Sequence, residues 1–173
     1  MNLTWITPDL AIGGRLSNDE AVRLAADEGV GAVVDLRSEA VDERRLLAAQ
    51  GIAFLHLPTD DHAAITPAML EEGVAFVSAR RREGRRVLVH CEHGIGRSAT
   101  LALAALVEGG LAPLAALELA KDRRDRVSPS PAQYGCWRDW LEAIRGRTGA
   151  GWSIPDFDSF AAIAYRHLGR GTP

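Results

Sequence analysis

The chain has 173 residues, of which 47% are hydrophobic, so it is long enough for one well-packed domain and too short for two of ordinary size. A formal net charge of -3 argues against a protein that binds nucleic acid or an anionic membrane. No apolar run is long enough to cross a bilayer, and the first residues lack the charged and apolar regions of a signal peptide. Cys91 and Cys136 cannot form a disulfide framework, so a reducing cytoplasm is the expected location. Many arginines and alanines beside a single lysine indicate a GC-rich, bacterial genome.

Extended and helical patterns alternate along the chain, which is typical of an α/β layer structure. Extended segments, rich in branched apolar residues, are predicted at 3–12 (interrupted by Pro8), 32–36, 52–57 and 87–90. Helices, most of them with capping signals, are predicted at 17–28, 39–50, 66–82, 97–108, 113–122 and 131–145. We therefore expect a three-layer α/β fold in which helices flank a central, mostly parallel sheet of about four or five strands.

The last part of the chain has a different pattern. Glycines at 146, 149 and 151 mark a linker, and residues 154–168 contain one short amphipathic helix that Asp156 or Asp158 would cap. We predict a catalytic domain over residues 1–147 and a C-terminal extension over residues 148–173.

The segment from the strand at 87–90 to the helix at 97–108 contains the clearest chemical signal. A strand, a loop with glycines and a helix in succession aim backbone N–H groups and a helix N-terminus at an anion. At the start of such a loop, Cys91 would feel the helix dipole and the charge of Arg97, and both lower the pKa of a thiol from about 8.5. Five residues separate Cys91 from Arg97, and the planar fork of an arginine can hold two phosphate oxygens. Gly94 and Gly96 let the backbone approach the anion, and the hydroxyl of Ser98 can donate to a leaving thiolate.

This segment, His90-Cys91-Glu92-His93-Gly94-Ile95-Gly96-Arg97-Ser98, resembles the phosphate-binding signature of the protein tyrosine phosphatase superfamily in its small dual-specificity form. The resemblance covers roughly residues 3–145. It implies the fold of that family and a phosphomonoester hydrolase that forms a phosphocysteine on Cys91, without a metal or other cofactor. Residues 92–97 would then bind the phosphate, and His90 would support the loop through hydrogen bonds.

The resemblance also implies a general acid about thirty residues before the cysteine, because a departing alkoxide or phenolate needs a proton. Asp61 is the preferred acid and Asp60 is its rival, and the same residue would activate water to hydrolyse the phosphocysteine.

Two further residues are candidates for a role at the site. Arg37, at the end of an apolar strand, could touch the substrate, although a structural ion pair is preferred. Gln133 lies near the position at which some relatives place a water-positioning glutamine.

Other interpretations compete with this one. A lone cysteine is more often a small buried residue than a nucleophile, but the fixed spacing of the signature argues against coincidence. A zinc site could recruit Cys91, His90, His93 and His62, yet no second cysteine stands at metal-ligand spacing. A rhodanese-like sulfurtransferase also has a cysteine in an anion-binding loop. His90 before the loop and Arg97-Ser98 at its end fit a phosphatase better. A non-catalytic phosphate-binding module is disfavoured because a nucleophile, an arginine and acid candidates are all present.

The expected substrate is a phosphorylated protein or a small phosphorylated molecule, with no nucleic acid and no membrane insertion. No insert resembling the phosphotyrosine-recognition loop of the tyrosine-specific members lies between Gly13 and Arg37. The resemblance therefore implies a shallow site that admits phosphotyrosine and phosphoserine or phosphothreonine. A metabolite or lipid phosphate is the alternative. Glu92 stands where lipid phosphatases place basic residues, which disfavours polyanionic phosphoinositides, and a histidine like His93 also occurs in the RNA-triphosphatase branch.

Overall fold

The computed structural model describes residues 1–169, and these residues contain one five-stranded sheet. Its strands in chain order are β1 (Leu3–Thr7), β2 (Leu10–Gly13), β3 (Val30–Arg37), β4 (Ala53–Thr59) and β5 (Arg86–His90). They lie in the order β1-β2-β5-β3-β4. The last four strands in this order are parallel to one another, and β1 pairs antiparallel with β2 at the edge. The predicted mostly parallel sheet is confirmed, and β5, which precedes the signature, is its central strand.

The helices of the described residues are α1 (Asn18–Ala21), α2 (Leu24–Glu28), α3 (Arg44–Ala48), α4 (Pro67–Arg82), α5 (Arg97–Glu108), α6 (Pro113–Arg123), α7 (Pro131–Thr148) and α8 (Phe157–Ala164). Their starts follow the capping signals of the sequence. Ser17 and Ser130 form capping boxes, and the Thr66 side chain accepts a bond from the Met69 amide ahead of α4. Within residues 1–169, no helix has the length and apolar character needed to cross a membrane.

The sheet separates two hydrophobic clusters, which gives the predicted three layers. In β3, Val33 belongs to the smaller cluster, which includes residues of α1, α2 and α3. Its neighbours Ala32 and Val34 belong to the larger cluster, which includes residues of α4 to α8. This alternation is what a strand between two helical layers requires, because successive side chains point to opposite faces.

Two predicted helices are shorter than expected, and side-chain hydrogen bonds explain both. The helix predicted at 17–28 is broken between α1 and α2, where the Gln50 side chain accepts from the amide of Ala25 and donates to the carbonyl of Ala21. The helix predicted at 39–50 is reduced to α3. The residues before α3 contain Glu39 and Asp42, whose carboxylates bind buried arginines instead.

The C-terminal extension packs against the domain. The helix α7 continues to Thr148 and ends at Gly149, whose φ is 67°, so the predicted boundary at residue 147 falls in its last turn. Asp156, rather than Asp158, caps α8 by accepting from the Ser159 amide at 2.8 Å. Phe160 of α8 is 0% exposed and belongs to the larger core cluster. Residues 170–173 of the predicted extension lie outside the described residues, and the division at 147 stays a prediction.

Two helical glycines provide a matched test of this packing. An alanine Cβ at Gly73 in α4 would lie 2.7 Å from Leu101 Cδ1 and 2.9 Å from Leu57 Cδ1, whereas one at Gly135 in α7 would meet nothing within 4 Å. We expect Gly73→Ala to lower the free energy of unfolding by about 1–3 kcal/mol through overpacking. Gly135→Ala should raise it by about 0.5–1 kcal/mol through reduced entropy of the unfolded chain. Urea unfolding measures both, and a Gly73→Ala variant that is as stable as the wild type or more stable would contradict the close packing of α4 on α5.

Candidate active site

Cys91 follows β5 directly and begins the signature loop (residues 91–97), which leads into α5. Its side chain is buried, with 2% of the residue exposed. The sulfur lies 3.3 Å from the Ser98 hydroxyl oxygen, and the amide of Gly94 donates to it at 3.3 Å. The sulfur thus lies inside the curve of the loop, at the N-terminal end of a twelve-residue helix.

Opposing effects act on the pKa of the Cys91 thiol. Burial alone would raise it, because the thiolate loses its hydration. Hydrogen bonds from the Ser98 hydroxyl and from the amides of Ser98, Gly94 and His93 overcome that effect, so the pKa lies below its ordinary value. The positive end of the α5 dipole acts in the same direction. The site therefore favours the nucleophilic form of the cysteine.

Arg97 is 1% exposed and is held in place by Glu39. Its Nη1 and Nη2 donate to the two carboxylate oxygens of Glu39, each at 2.8 Å, and Nη1 also donates to the carbonyl of Thr59 at 2.8 Å. The hydrogen bonds from Arg97 lower the pKa of Glu39 to about 2, so the pair stays ionised across the ordinary pH range. Sequence reasoning missed Glu39 because it assigned this segment to a regular helix.

A second buried arginine, Arg124, holds the signature loop from outside. Its Nε donates to the carbonyl of Gly94 at 2.8 Å, and its Nη2 donates to the carbonyl of His93 at 3.0 Å. Gly94 has a φ of 69°, and a Cβ there would lie 2.5 Å from Arg124 Nη2 and 2.6 Å from the carbonyl oxygen of Gly13. The loop conformation therefore requires glycine at this position. Arg124 was also missed, since it lies among other arginines after α6 and no local motif marks it.

The two candidate acids point in different directions. Asp61 is about half exposed, with 52% of its side chain accessible, and its Oδ1 lies 3.3 Å from Nη2 of Arg97. Asp60 instead accepts a hydrogen bond from the Ser38 hydroxyl at 2.6 Å. Only Asp61 of the two lines the cavity that contains Cys91. The geometry therefore favours Asp61 as the acid.

That cavity has a volume of about 160 Å³ and collects six of the predicted site residues. It is lined by Asp61, His62, Cys91, His93, Ile95, Gly96, Ser128 and Gln133. Gln133 is 1% exposed, and its Oε1 accepts from the amide of Ser130 at 2.9 Å. Within residues 1–169, Nε of Arg97 and Nε2 of Gln133 are buried donors without a hydrogen-bond partner. A buried thiol of lowered pKa, the carboxylate of Asp61 and the spare amide donor of Gln133 thus meet in one small cavity, and Arg97 lies beside Asp61 without lining it.

The family model described as "Dual specificity phosphatase, catalytic domain" matches residues 16–142 of this chain. The chain belongs to this family. Dual specificity protein phosphatase 2 of Mus musculus is 37% identical over 76 residues, which are 43% of this chain and 24% of that protein. The matched part is thus about a quarter of the length of this curated relative. The predicted family, one of cysteine-dependent phosphatases, is confirmed.

Solved structures of this family share the fold. The crystal structure of PTPMT1 in complex with PI(5)P has a TM-score of 0.76 and 27% identity, and the likeness covers 82% of this chain and 96% of that one. The crystal structure of Tk-PTP in the active form has a TM-score of 0.72 and 28% identity, and the likeness covers 84% of this chain and 97% of that one. The five-stranded sheet flanked by helices is therefore that of dual-specificity-type phosphatases.

Below the signature loop of this phosphatase-family domain lies a buried charge network. Arg37 donates to Asp35 at 2.9 Å and to Asp42 at 2.6 Å, and Nε2 of His90 lies 2.7 Å from Asp42. Arg37 does not line the cavity, so the structure places it in the ion pair that the sequence favoured over substrate contact. Within residues 1–169, His90 bonds to Asp42 through Nε2 and its Nδ1 has no hydrogen-bond partner, so the predicted hydrogen bonds from His90 to the loop are not formed.

A metal does not fit this network. Among residues 1–169, the one close group of potential metal ligands is Asp35, Asp42 and His90. The guanidinium of Arg37 already takes the carboxylates of both aspartates, so a second cation there would be repelled. The alternative zinc set of Cys91, His90, His93 and His62 is not assembled in the described residues.

Two residues of the signature loop differ in orientation. His93 is exposed and lines the cavity, as expected. The side chain of Glu92, which belongs to the predicted phosphate-binding residues 92–97, does not line the cavity. Its carboxylate accepts from Arg15 at 3.2 Å and lies 3.9 Å from Arg37, because these two cations attract it away from the sulfur.

The role of Ser98 in the thiol pKa can be tested directly. Ser98→Ala removes a hydrogen-bond donor to the sulfur, so we expect the pKa of Cys91 to rise and its alkylation by iodoacetamide to need a higher pH. Peptide mass spectrometry resolves Cys91 from Cys136 in the same digest. Burial raises the pKa of Cys136, and its alkylation profile should not change, which makes it an internal control. An unshifted Cys91 profile would contradict the assignment.

Proposed function

We propose that the chain hydrolyses phosphomonoesters, as a protein tyrosine or dual-specificity phosphatase, through a covalent phosphocysteine on Cys91. One observation carries the proposal: the Cys91 sulfur accepts hydrogen bonds in a cavity that Asp61 also lines. In the proposed mechanism, the backbone amides of residues 92–97 and the guanidinium of Arg97 bind the phosphate. Membership of the dual specificity phosphatase family supports the proposal.

In the first step, the thiolate attacks phosphorus and forms a P–S bond as the P–O bond to the leaving group breaks. Asp61, protonated at this stage, gives its proton to the departing oxygen. Arg97 meets the negative charge of the transferring phosphoryl group, and its Nε has no partner among the described residues. Glu39 fixes the orientation of the guanidinium by binding both Nη atoms.

In the second step, water attacks the phosphocysteine and the P–S bond breaks. Asp61, now a carboxylate, takes a proton from that water, and the hydroxyl of Ser98 donates to the departing thiolate at a ground-state distance of 3.3 Å. Gln133 borders the cavity with a spare amide donor, and we assign it to holding the attacking water. All charges in both steps are met by protein groups, so the proposal needs no metal or cofactor.

For the substrate we propose phosphorylated side chains of proteins. The cavity is small, and the exposed His62 and His93 flank it, so an aryl or an alkyl phosphate could enter. The side chains of Glu39 and Asp61 are 43% and 52% exposed beside Arg97. These carboxylates would repel a headgroup with several phosphates, whereas a single phosphate can be bound by Arg97 and the loop amides.

A phosphoinositide is the second candidate, and two observations favour it. The similar structure of PTPMT1 was solved in complex with PI(5)P. In addition, Arg15 and Arg37 lie beside Glu92 and offset its charge, which weakens the sequence argument against lipids. The two candidates are ranked by their rates of hydrolysis. A phosphotyrosyl peptide and a short-chain, water-soluble PI(5)P are compared at equal concentration.

The reaction itself is tested with an aryl phosphate across pH. We expect turnover without added metal, no effect of a chelator, and inhibition by vanadate. Cys91→Ser should lower kcat by about a thousandfold or more because it removes the nucleophile. Cys136→Ser, the matched control, should keep wild-type activity, since Cys136 does not line the cavity and its thiol donates to a backbone carbonyl, that of Gln133. Binding of a phosphorylated ligand without hydrolysis would instead identify a binding module, and persulfide formation with thiosulfate would identify a sulfurtransferase.

The acid is tested by its dependence on the leaving group. Asp61→Asn should lower kcat/KM about a hundredfold for phenyl phosphate and much less for an ester with a good leaving group, which departs without a proton. Asp60→Asn should change both rates little, because Asp60 bonds to Ser38 outside the cavity. If Asp60→Asn alone produced the selective loss, the roles of the two aspartates would be reversed.

A further inference from the structure

The segment between α6 and α7, which we call the bridging loop (residues 124–130), touches both loops that carry the proposed chemistry. At its start, Arg124 holds the carbonyls of His93 and Gly94. In its middle, the amide of Ser128 donates to the carbonyl of Ile95 at 3.0 Å. At its end, the hydroxyl of Ser130 donates to the carbonyl of His62 at 2.7 Å. The start and middle of the bridging loop therefore contact the signature loop, whereas its end at Ser130 contacts the segment between β4 and α4 that contains Asp61, which we call the acid loop (residues 60–66).

The bond from Ser130 falls at a strained point of the backbone. Within residues 1–169, His62 is the one non-glycine residue with a positive φ, at 60°. A residue with a Cβ is held in that conformation only where its surroundings enforce it. His62 follows Asp61 directly, and its amide donates to Asp61 Oδ1 at 3.1 Å. The hydrogen bond from Ser130 to His62 thus acts one residue away from the proposed acid.

The C-terminal extension holds the bridging loop in turn. The hydroxyl of Tyr165 donates to the carbonyl of Pro129 at 2.6 Å, next to Ser130 in the chain. Lys121 of α6 is 0% exposed, and its ammonium group donates to the carbonyl of Val127 at 2.9 Å and to Nδ1 of His167 at 2.7 Å. The extension follows the region that the family model matches, which ends at residue 142. Its described residues do not line the cavity, so they do not cover the site.

We propose that the C-terminal extension braces the catalytic loops, with Tyr165 as a positioning residue that keeps Ser130 against the acid loop and Asp61 at the phosphate. The proposal rests on the proposed phosphatase function. Tyr165 touches no reacting atom and acts through the carbonyl of Pro129. Loss of its hydroxyl should weaken proton donation by Asp61 and leave phosphate binding by Arg97 unchanged.

The chain offers a matched control for this proposal. Tyr134 also donates from its hydroxyl to a proline carbonyl across the same interface, Pro155 at 2.9 Å. Its contact with the bridging loop is a backbone bond, from the Tyr134 amide to the carbonyl of Ser130 at 2.8 Å, which a phenylalanine at this position keeps. Tyr165→Phe and Tyr134→Phe each remove one such hydrogen bond and keep the ring. In the full chain, similar decreases in the urea midpoint are expected for both variants.

The readout is the ratio of kcat/KM for a good leaving group to that for phenyl phosphate. Tyr165→Phe should raise this ratio by roughly five- to tenfold through kcat, with KM and the vanadate inhibition constant unchanged, because general acid catalysis alone is impaired. Tyr134→Phe should leave the ratio at the wild-type value. Ser130→Ala should raise the ratio as well, and adding Tyr165→Phe to it should cause no further rise if the two residues act in series.

The outcomes separate the proposal from the function on which it rests. A wild-type chain that hydrolyses neither ester refutes the phosphatase function. An active wild type together with a wild-type ratio in Tyr165→Phe refutes the brace alone. Equal losses on both esters in the two tyrosine variants would also overturn it, because the extension would then only stabilise the fold. If the rises in the ratio caused by Ser130→Ala and by Tyr165→Phe multiply in the double variant, Tyr165 does not act through Ser130.

Discussion

A buried sulfur atom that favours the negative charge is the feature around which the rest of the site is arranged. Cys91 is 2% exposed, so its thiolate lacks most of the water that would stabilise it. The protein substitutes the Ser98 hydroxyl, the loop amides and the N-terminus of α5. Amides can converge on one atom only if the loop curls tightly, which requires the left-handed conformation of Gly94 and the external hold of Arg124. The position of β5 at the centre of the sheet supplies a rigid start for this loop.

The same arrangement brings cations into the interior, and each needs an anion. Glu39 binds Arg97, and Asp35 and Asp42 bind Arg37. An unpaired buried guanidinium would be costly, so these carboxylates are structural requirements of the phosphate site. The hydrogen bonds from Arg97 hold the pKa of Glu39 at about 2, so the pair between Glu39 and Arg97 is present across the ordinary pH range.

The parts that sequence reasoning predicted are local in the chain. The signature occupies nine consecutive residues, and its strand and helix follow from neighbouring apolar patterns and caps. The missed residues act across long sequence separations: Glu39 lies 58 residues from Arg97, and Arg124 lies 30 residues from Gly94. Their residue types are common on protein surfaces, so nothing in their own neighbourhood distinguishes them. The preference for Asp61 over Asp60 rested on the resemblance, since adjacent residues share their local signals and side-chain direction is what divides them.

The acid loop shows how such distant contacts produce a defined geometry. Asp60 is bonded to Ser38 on one side, and the carbonyl of His62 is bonded to Ser130 on the other. Asp61 lies between these two attachments with its carboxylate 3.3 Å from Arg97. A loop fixed on both sides need not close over each substrate, so less ordering entropy is lost when the substrate binds. It also has little freedom to recover if one attachment is lost, so the position of the proposed acid would depend on elements as remote as α7 and the extension that packs on it.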